Sequence, residues 1–277
     1  MKQVCIVIPV HKEIPDDHEI ISLQRCQDIL SAHDMFLLAP EGLDLTAYLK
    51  ISRNFVVKYI APRYLSSIKA YNKMKIDYDF YAMFKDYKYL LTYETDAYVF
   101  RDELSFWCTS DADYVGAPWF TGYHQQEEHA MITGVGNSGF SLRNIQKCLS
   151  ILSRFKDLNL RSIWNNLPFS KELLRLLTFA TSKFPVLQAK LYVLRAYLSN
   201  EYVHEDIFWC KFVPILFPEF KIASSKEALK FSFDASPSRC FELNGGSLPF
   251  GCHAWHKFDL EFWSRFIPYC AEQNKKS

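Results

Sequence analysis

Apolar and polar positions fall in blocks that predict strand, helix, strand from the first residues onward. Val4-Cys5-Ile6-Val7-Ile8-Pro9-Val10 is a continuous apolar run, closed by Pro9 and the polar stretch His11 to Asp17, as in a buried first strand. From Glu19 to Ser31 the apolar positions Ile20, Ile21, Leu23, Cys26, Ile29 and Leu30 recur at helical spacing. Asp34 to Pro40 and Phe55 to Ile60 predict two further strands. A helix from about Ser66 to Phe84 then leads into the apolar run at Leu90. This order predicts an α/β layered sheet, mostly parallel, in which ligands sit beyond the carboxyl ends of the strands.

The stretch Leu90-Leu91-Thr92-Tyr93-Glu94-Thr95-Asp96-Ala97-Tyr98-Val99-Phe100 carries two carboxylates where a buried strand ends. In an extended chain residues i and i+2 share a side, so Glu94 and Asp96 can converge on one target. A hard divalent cation bridging phosphate oxygens is such a target; two acids opening a surface turn are the alternative. Pro9 to His11 and Glu94 to Asp96 both fall at predicted strand ends, which favours the metal.

Eight of the nine glycines lie in two windows, Gly116 to Gly139 and Gly245 to Gly251. Glycine serves where backbone takes positive φ or approaches a ligand closely, so these windows are candidate walls of a site. The polar loop Thr121 to Ala130, inside the first window, is the candidate lid. Gly134-Val135-Gly136-Asn137-Ser138-Gly139 has no Lys-Ser/Thr after it and is not a Walker A loop.

From Leu173 to Asn200 there is no acidic residue, while Arg175, Lys183, Lys190 and Arg195 are spread among leucines and aromatics. This predicts amphipathic helices interrupted near Pro185: a core-packing insertion, or a peripheral membrane or lipid-acceptor contact through 173–200.

At 277 residues the chain is long enough for one large domain, here taken as 1–277 with a helical insertion at about 155–198. A net charge of +1 gives no general attraction to nucleic acid. Eight cysteines without a CxxC pair point to reduced thiols and away from a zinc site. The N-terminus carries no signal-peptide pattern and no run is long enough to span a bilayer, so the expected location is the cytoplasm, including the inner face of the membrane.

Four features ask for one explanation: the acid pair, the Gly-Asn-Ser-Gly loop, Glu205-Asp206 opening a helix, and His253 in a late Gly/aromatic loop. Sugar transfer from a nucleotide diphosphate uses such a set, with a cation at the departing diphosphate and a carboxylate for the acceptor proton. The phrases Tyr71-Asn72-Lys73, Tyr93 to Phe100, Asp113-Tyr114-Val115-Gly116-Ala117-Pro118-Trp119, Gly136-Asn137-Ser138-Gly139-Phe140-Ser141-Leu142-Arg143, His204-Glu205-Asp206-Ile207-Phe208 and Pro249-Phe250-Gly251-Cys252-His253 resemble, in that order, the DUF5672 family of glycosyltransferase-like proteins. More loosely they resemble the layout of GT-A glycosyltransferases.

The resemblance implies a GT-A-like, Rossmann-like mixed sheet flanked by helices. It also implies an enzyme moving a sugar from a nucleotide-diphosphate donor to a hydroxyl acceptor, with inversion; the basic segment Leu173 to Asn200 points to a glycan or lipid-linked glycan acceptor at a membrane surface, and so to bacterial surface polysaccharide or lipopolysaccharide assembly. Asp96 matches the last acid of the D-x-D motif, a ligand of Mn²⁺ or Mg²⁺; Glu94 matches the first, as Glu in place of Asp. His253 matches the late metal-site His, with His256 as its rival. Asp206 matches the catalytic base, with Glu205 as the alternative. Gly136, Asn137 and Gly139 match the loop at the donor sugar, and Pro9, Val10 and His11 the strand end that holds the nucleotide. The rival readings are a non-catalytic carbohydrate- or nucleotide-binding protein and a nucleotidyltransferase, although the first-strand loop lacks the glycines and basic residues that grip a triphosphate.

Overall fold

A computed structural model describes residues 1–122, 130–157, 181–198 and 202–268. The strands are β1 (Lys2–Pro9), β2 (Asp34–Pro40), β3 (Phe55–Ile60), β4 (Tyr87–Tyr93), β5 (Tyr98–Val99), β6 (Tyr114–Val115), β7 (Ala117–Phe120), β8 (Ile132–Gly136), β9 (Phe140–Asn144), β10 (Ser232–Phe233) and β11 (Gly251–Cys252). The central sheet runs β3-β2-β1-β4-β9-β6. Its first four strands are parallel, and β9 and β6 join antiparallel. A sheet of β10, β11 and β5 and a β7–β8 ribbon complete the strand structure of the described residues.

β1 is apolar on both faces because both are covered. Ile6 and Ile8 pack with Leu23, Cys26 and Leu30 of the helix Asp17–Leu30. Cys5 and Val7 face the other layer, with Ile145, Cys148 and Leu152 of the helix Ile145–Asp157 and Phe208 and Trp209 further on. A third, aromatic cluster joins Tyr98 and Phe233 to Trp255, Phe262 and Trp263.

The first three predicted strands and the helix after β1 are present. The helix predicted over Ser66 to Phe84 is instead two, Ile68–Met74 and Tyr78–Ala82. Asp77 ends the first path by capping the second helix, its side chain accepting from the Asp79 N–H at 3.0 Å. Lys75, between the two, turns inward and is buried. In the predicted insertion the structure describes the end of helix Ile145–Asp157 and the helix Pro185–Leu198, with Pro185 at the first helical position. Residues 158–180 and 199–201, and the centre of the predicted lid at 123–129, lie outside the described residues. Among the described residues, no helix is long and apolar enough to cross a membrane.

Gly136 is fixed by packing. A Cβ there would lie 1.9 Å from the Trp119 ring on the paired strand β7. Gly136→Ala therefore overpacks the ribbon, with an expected cost of about 1–3 kcal/mol. Urea denaturation checks this, and an unchanged midpoint would mean that the indole moves aside freely.

Candidate active site

Strand pairing assembles the site at the carboxyl end of the parallel strands. Glu94 follows β4, and its N–H donates to the Gly139 carbonyl at 2.8 Å, which extends the β4–β9 ladder by one step. Four residues after Glu94 the chain enters β5, where Tyr98 pairs with Cys252 of β11. His253, next after Cys252, is thereby brought beside Asp96. On the other side of β11, Phe233 pairs with Cys252, and Asp234 arrives next to the same imidazole.

His253 Nε2 lies 3.0 Å from Asp96 Oδ1 and 3.5 Å from Glu94 Oε2, while its Nδ1 lies 3.2 Å from Asp234 Oδ1. The second oxygen of each acid is committed elsewhere. Glu94 Oε1 accepts from the Tyr71 hydroxyl at 2.9 Å and from Lys75 Nζ at 3.1 Å. Asp96 Oδ2 accepts from Lys257 Nζ at 2.7 Å. Three ligand atoms are left converging: Glu94 Oε2, Asp96 Oδ1 and His253 Nε2, all within 4.8 Å of one another. Nε2 is buried and, despite the short distance, is not aligned for a hydrogen bond to either acid. Two carboxylate oxygens and an imidazole nitrogen with no hydrogen-bond partner make a donor set that fits Mn²⁺ or Mg²⁺. Asp234 on Nδ1 is the carboxylate partner that leaves the far nitrogen free to bind a metal.

The electrostatics match the geometry. Burial alone would lower the His253 pKa, but Asp96, Asp234 and Glu94 outweigh it and raise it well above the usual value. Burial disfavours the Glu94 carboxylate, but Lys75 and His253 bring its pKa down to about 2. Asp96 is likewise lowered, against its burial, by His253 and Lys257. Without a cation the cluster thus places protonated imidazole and lysine at the acids, in the position of positive charge. His256 stands apart from it, stacked on His18 with ring centroids 3.9 Å apart, and burial and His18 push its pKa down to about 4.

Asn137 links this corner to the helix that begins at Glu205. Its φ is 95°, and its Oδ1 accepts from the N–H groups of Gly139 and Phe140 at 2.8 and 3.0 Å. Its Nδ2 lies 3.2 Å from His253 Nδ1. A Cβ on Gly139 would lie 2.1 Å from the His253 ring, so glycine here makes room for the imidazole. Within the fold, the missing side chains of Gly136 and Gly139 make room for Trp119 and His253.

Glu205 does not open on the site. It is fully buried, and Arg143 holds both oxygens at 2.7 and 2.8 Å. Arg143 also meets the hydroxyls of Tyr81, Tyr114 and Ser141 at 3.0 to 3.3 Å. The Glu205 N–H donates to Asn72 Oδ1 at 2.9 Å. The Glu205 carboxylate is thus fully committed to Arg143 inside the core. Asp206 is half-buried. Burial and the Glu205 charge raise its pKa, opposed by the Ile207 amide, by His204 and by the Asn137 backbone. Pro9 ends β1 opposite Leu38 of β2, whose carbonyl accepts from the Val10 N–H at 3.0 Å, with Val10 buried and His11 exposed.

Sequence reasoning passed over four residues here. Arg143 left a signal, a charge inside the buried strand phrase Phe-Ser-Leu-Arg-Asn. Lys257 left a weaker one, four residues after His253. Lys75 and Asp234 left none.

Comparison with solved structures defines the class of fold. The structure superimposes on the galactosyltransferase LgtC, solved with donor and acceptor sugar analogues, with a TM-score of 0.51 at 14% identity, covering 97% of this chain and 95% of that one. It matches the bifunctional glycosyltransferase WbbM at a TM-score of 0.52 and 10% identity, over 98% of this chain and half of that one. The apo-form glycosyltransferase GlyE of Streptococcus pneumoniae TIGR4 matches at 0.50 and 14%, over 100% of this chain and 64% of that one. The fold is that of the GT-A glycosyltransferases. Residues 54–253 match the family model described as "Protein of unknown function (DUF5672)", and the chain belongs to that family. No curated protein matches the sequence.

Lys75 is 1% exposed and bonds Glu94, the Ser138 carbonyl and the Ser138 hydroxyl at 2.7 to 3.1 Å, with Glu205 3.9 Å away. Lys75→Met leaves these two acids with one cation fewer, so chemical denaturation is expected to report a loss of about 3–5 kcal/mol. Adding Glu94→Gln should restore most of it. A single variant as stable as the wild type would disprove the role of Lys75 as counter-ion.

Proposed function

We propose that this protein is a metal-dependent glycosyltransferase, its chain a single catalytic domain, that moves a sugar from a nucleotide diphosphate to a hydroxyl acceptor. The observation that carries the reading is the convergence of Glu94 Oε2, Asp96 Oδ1 and His253 Nε2, with Asp206 one residue removed through Asn137. Asp96 and His253 would hold Mn²⁺ or Mg²⁺, with Glu94 beside them and Asp234 fixing the imidazole. Such a cation, when bound, neutralises charge that grows on the departing diphosphate.

The remaining chemistry belongs to side chains of this chain. Lys257, now on Asp96, lies at the edge of the same corner and adds positive charge toward the leaving group. Asp206 accepts the proton of the acceptor hydroxyl as its oxygen attacks the anomeric carbon opposite the diphosphate. One displacement inverts that carbon. Pro9, Val10 and His11 border the nucleotide at the end of β1. The raised pKa of Asp206 suits a base, since a carboxylate with a weaker conjugate acid binds the transferred proton better.

Asp96→Asn is expected to abolish Mn²⁺-dependent binding of nucleotide diphosphates in calorimetry, with the fold intact by circular dichroism; retained metal-dependent binding would sink the assignment. Asp206→Asn should keep that binding and lower turnover by about 10²–10⁴. Below its pKa Asp206 is protonated and cannot accept a proton. The acid limb of kcat/KM should therefore lie above the ordinary carboxyl range and vanish with the asparagine. An inverted anomer in the product, read by NMR, tests the single displacement.

The acceptor is proposed to be a glycan on a lipid carrier, as in surface polysaccharide or lipopolysaccharide assembly. Helix Pro185–Leu198 buries Ala189, Val193 and Ala196 and exposes Val186 and Leu187, beside exposed Phe184, Lys183 and Lys190. Apolar side chains among cations suit an anionic bilayer surface. The rest of the 173–200 segment lies outside the described residues. Sedimentation with phosphatidylglycerol vesicles should exceed that with phosphatidylcholine and fall on Phe184→Asp with Leu187→Asp. Equal sedimentation of variant and wild type would remove the membrane contact.

A further inference from the structure

The segment Tyr202–Asp206 holds two aromatic rings that the donor site does not use. Val203, Glu205, Phe208 and Trp209 are buried, whereas Tyr202 is 45% exposed and His204 is exposed. The two rings stand at 87° with centroids 4.6 Å apart, so they form a corner, one face and one wall, open to solvent. Tyr202 Oη lies 3.5 Å from His204 Nδ1 at the inside of that corner.

The corner is braced from behind. The His204 carbonyl accepts from the Tyr192 hydroxyl at 3.3 Å and from the Phe208 N–H at 3.1 Å. Tyr192 is itself stacked on Phe212, centroids 4.1 Å apart. The next residue is Glu205, locked by Arg143, and after it comes Asp206, whose charge reaches the Tyr202 phenol. Two exposed rings are thus carried on a braced support next to the proposed base.

We infer that Tyr202 and His204 form an acceptor subsite that takes one neutral hexopyranose ring of a glycan. This rests on the reading of Asp206 as base and extends it to the acceptor. A pyranose presents a face of C–H groups that packs on the electron-rich face of an aromatic ring. Its ring hydroxyls meet the Tyr202 hydroxyl and the His204 imidazole at the rim, as a few polar groups fix orientation in an otherwise apolar site. The Asp206 carboxylate disfavours a phosphorylated or uronic ring at the same place, which restricts the class to neutral sugars. A sugar seated on Tyr202 brings its next hydroxyl toward Asp206.

Saturation-transfer NMR on the full chain with a panel of neutral methyl hexopyranosides tests the subsite. At least one glycoside should receive saturation on one ring face. That transfer should fall roughly fivefold or more in Tyr202→Ala, the size expected for a lost aromatic contact, and persist in Tyr202→Phe. No transfer from any glycoside to the wild type, or equal transfer in Tyr202→Ala, overturns the subsite. Loss in Tyr202→Phe overturns stacking as its basis. Nucleotide-sugar hydrolysis by the wild type separates the two readings: hydrolysis without glycoside binding removes the subsite alone, whereas no nucleotide sugar bound or hydrolysed removes the glycosyltransferase reading.

Discussion

Beneath the site, Lys75, Glu94, Glu205 and Arg143 form a chain of two cations and two anions, and the geometry above it depends on that chain. Each charge is costly out of water, and together they are tolerable only because every one has partners. Arg143 grips Glu205 in a fork and touches three hydroxyls; Lys75 bridges Glu94 and Ser138 under the ring of Tyr71, its Nζ 4.2 Å from the centroid. The four residues come from β9, the helix starting at Glu205, the turn after Ile68–Met74 and the end of β4. Moving any of these elements would strand a buried charge. Glu94 is thereby held with one oxygen inward and the other on the site.

The same chain explains why neighbouring acids differ in surroundings. On a helix, consecutive side chains point about 100° apart. With Glu205 drawn into Arg143, Asp206 is turned toward Asn137 and Tyr202. Tight packing fixes the rest: Gly139 admits the His253 ring, and the short β10-β11-β5 sheet sets Asp234, His253 and Asp96 at a common level. A site with one residue from each of several strand ends needs every register to be right, because a slip of one residue turns a side chain to the opposite face.

Much of this was legible along the chain. Continuous apolar runs in β1, β2 and β4 marked strands covered on both faces, and the acid pair at the end of β4 marked the ligand side of the sheet. The helix at Ser66 to Phe84 was misjudged because apolar spacing continues across Lys75, Ile76 and Asp77. The capping bond of Asp77 and the inward turn of Lys75 interrupt it, and neither changes the periodicity. Lys75 carries no local mark of its burial, since a buried ion pair has no local pattern when its partners lie 19 and 130 residues away.

The sequence by itself determined the layer order, the sheet end where chemistry gathers and the residue types gathered there, since these follow from local hydrophobic period and from charges that interrupt it. Tertiary structure alone decided which oxygen of each acid is free, that Glu205 faces Arg143 while Asp206 faces the Asn137 backbone, and that Asp234 backs His253. Those choices depend on distances between segments far apart in the chain, where the electrostatic cost of a buried charge, and the pairing that offsets it, are set only when the segments meet.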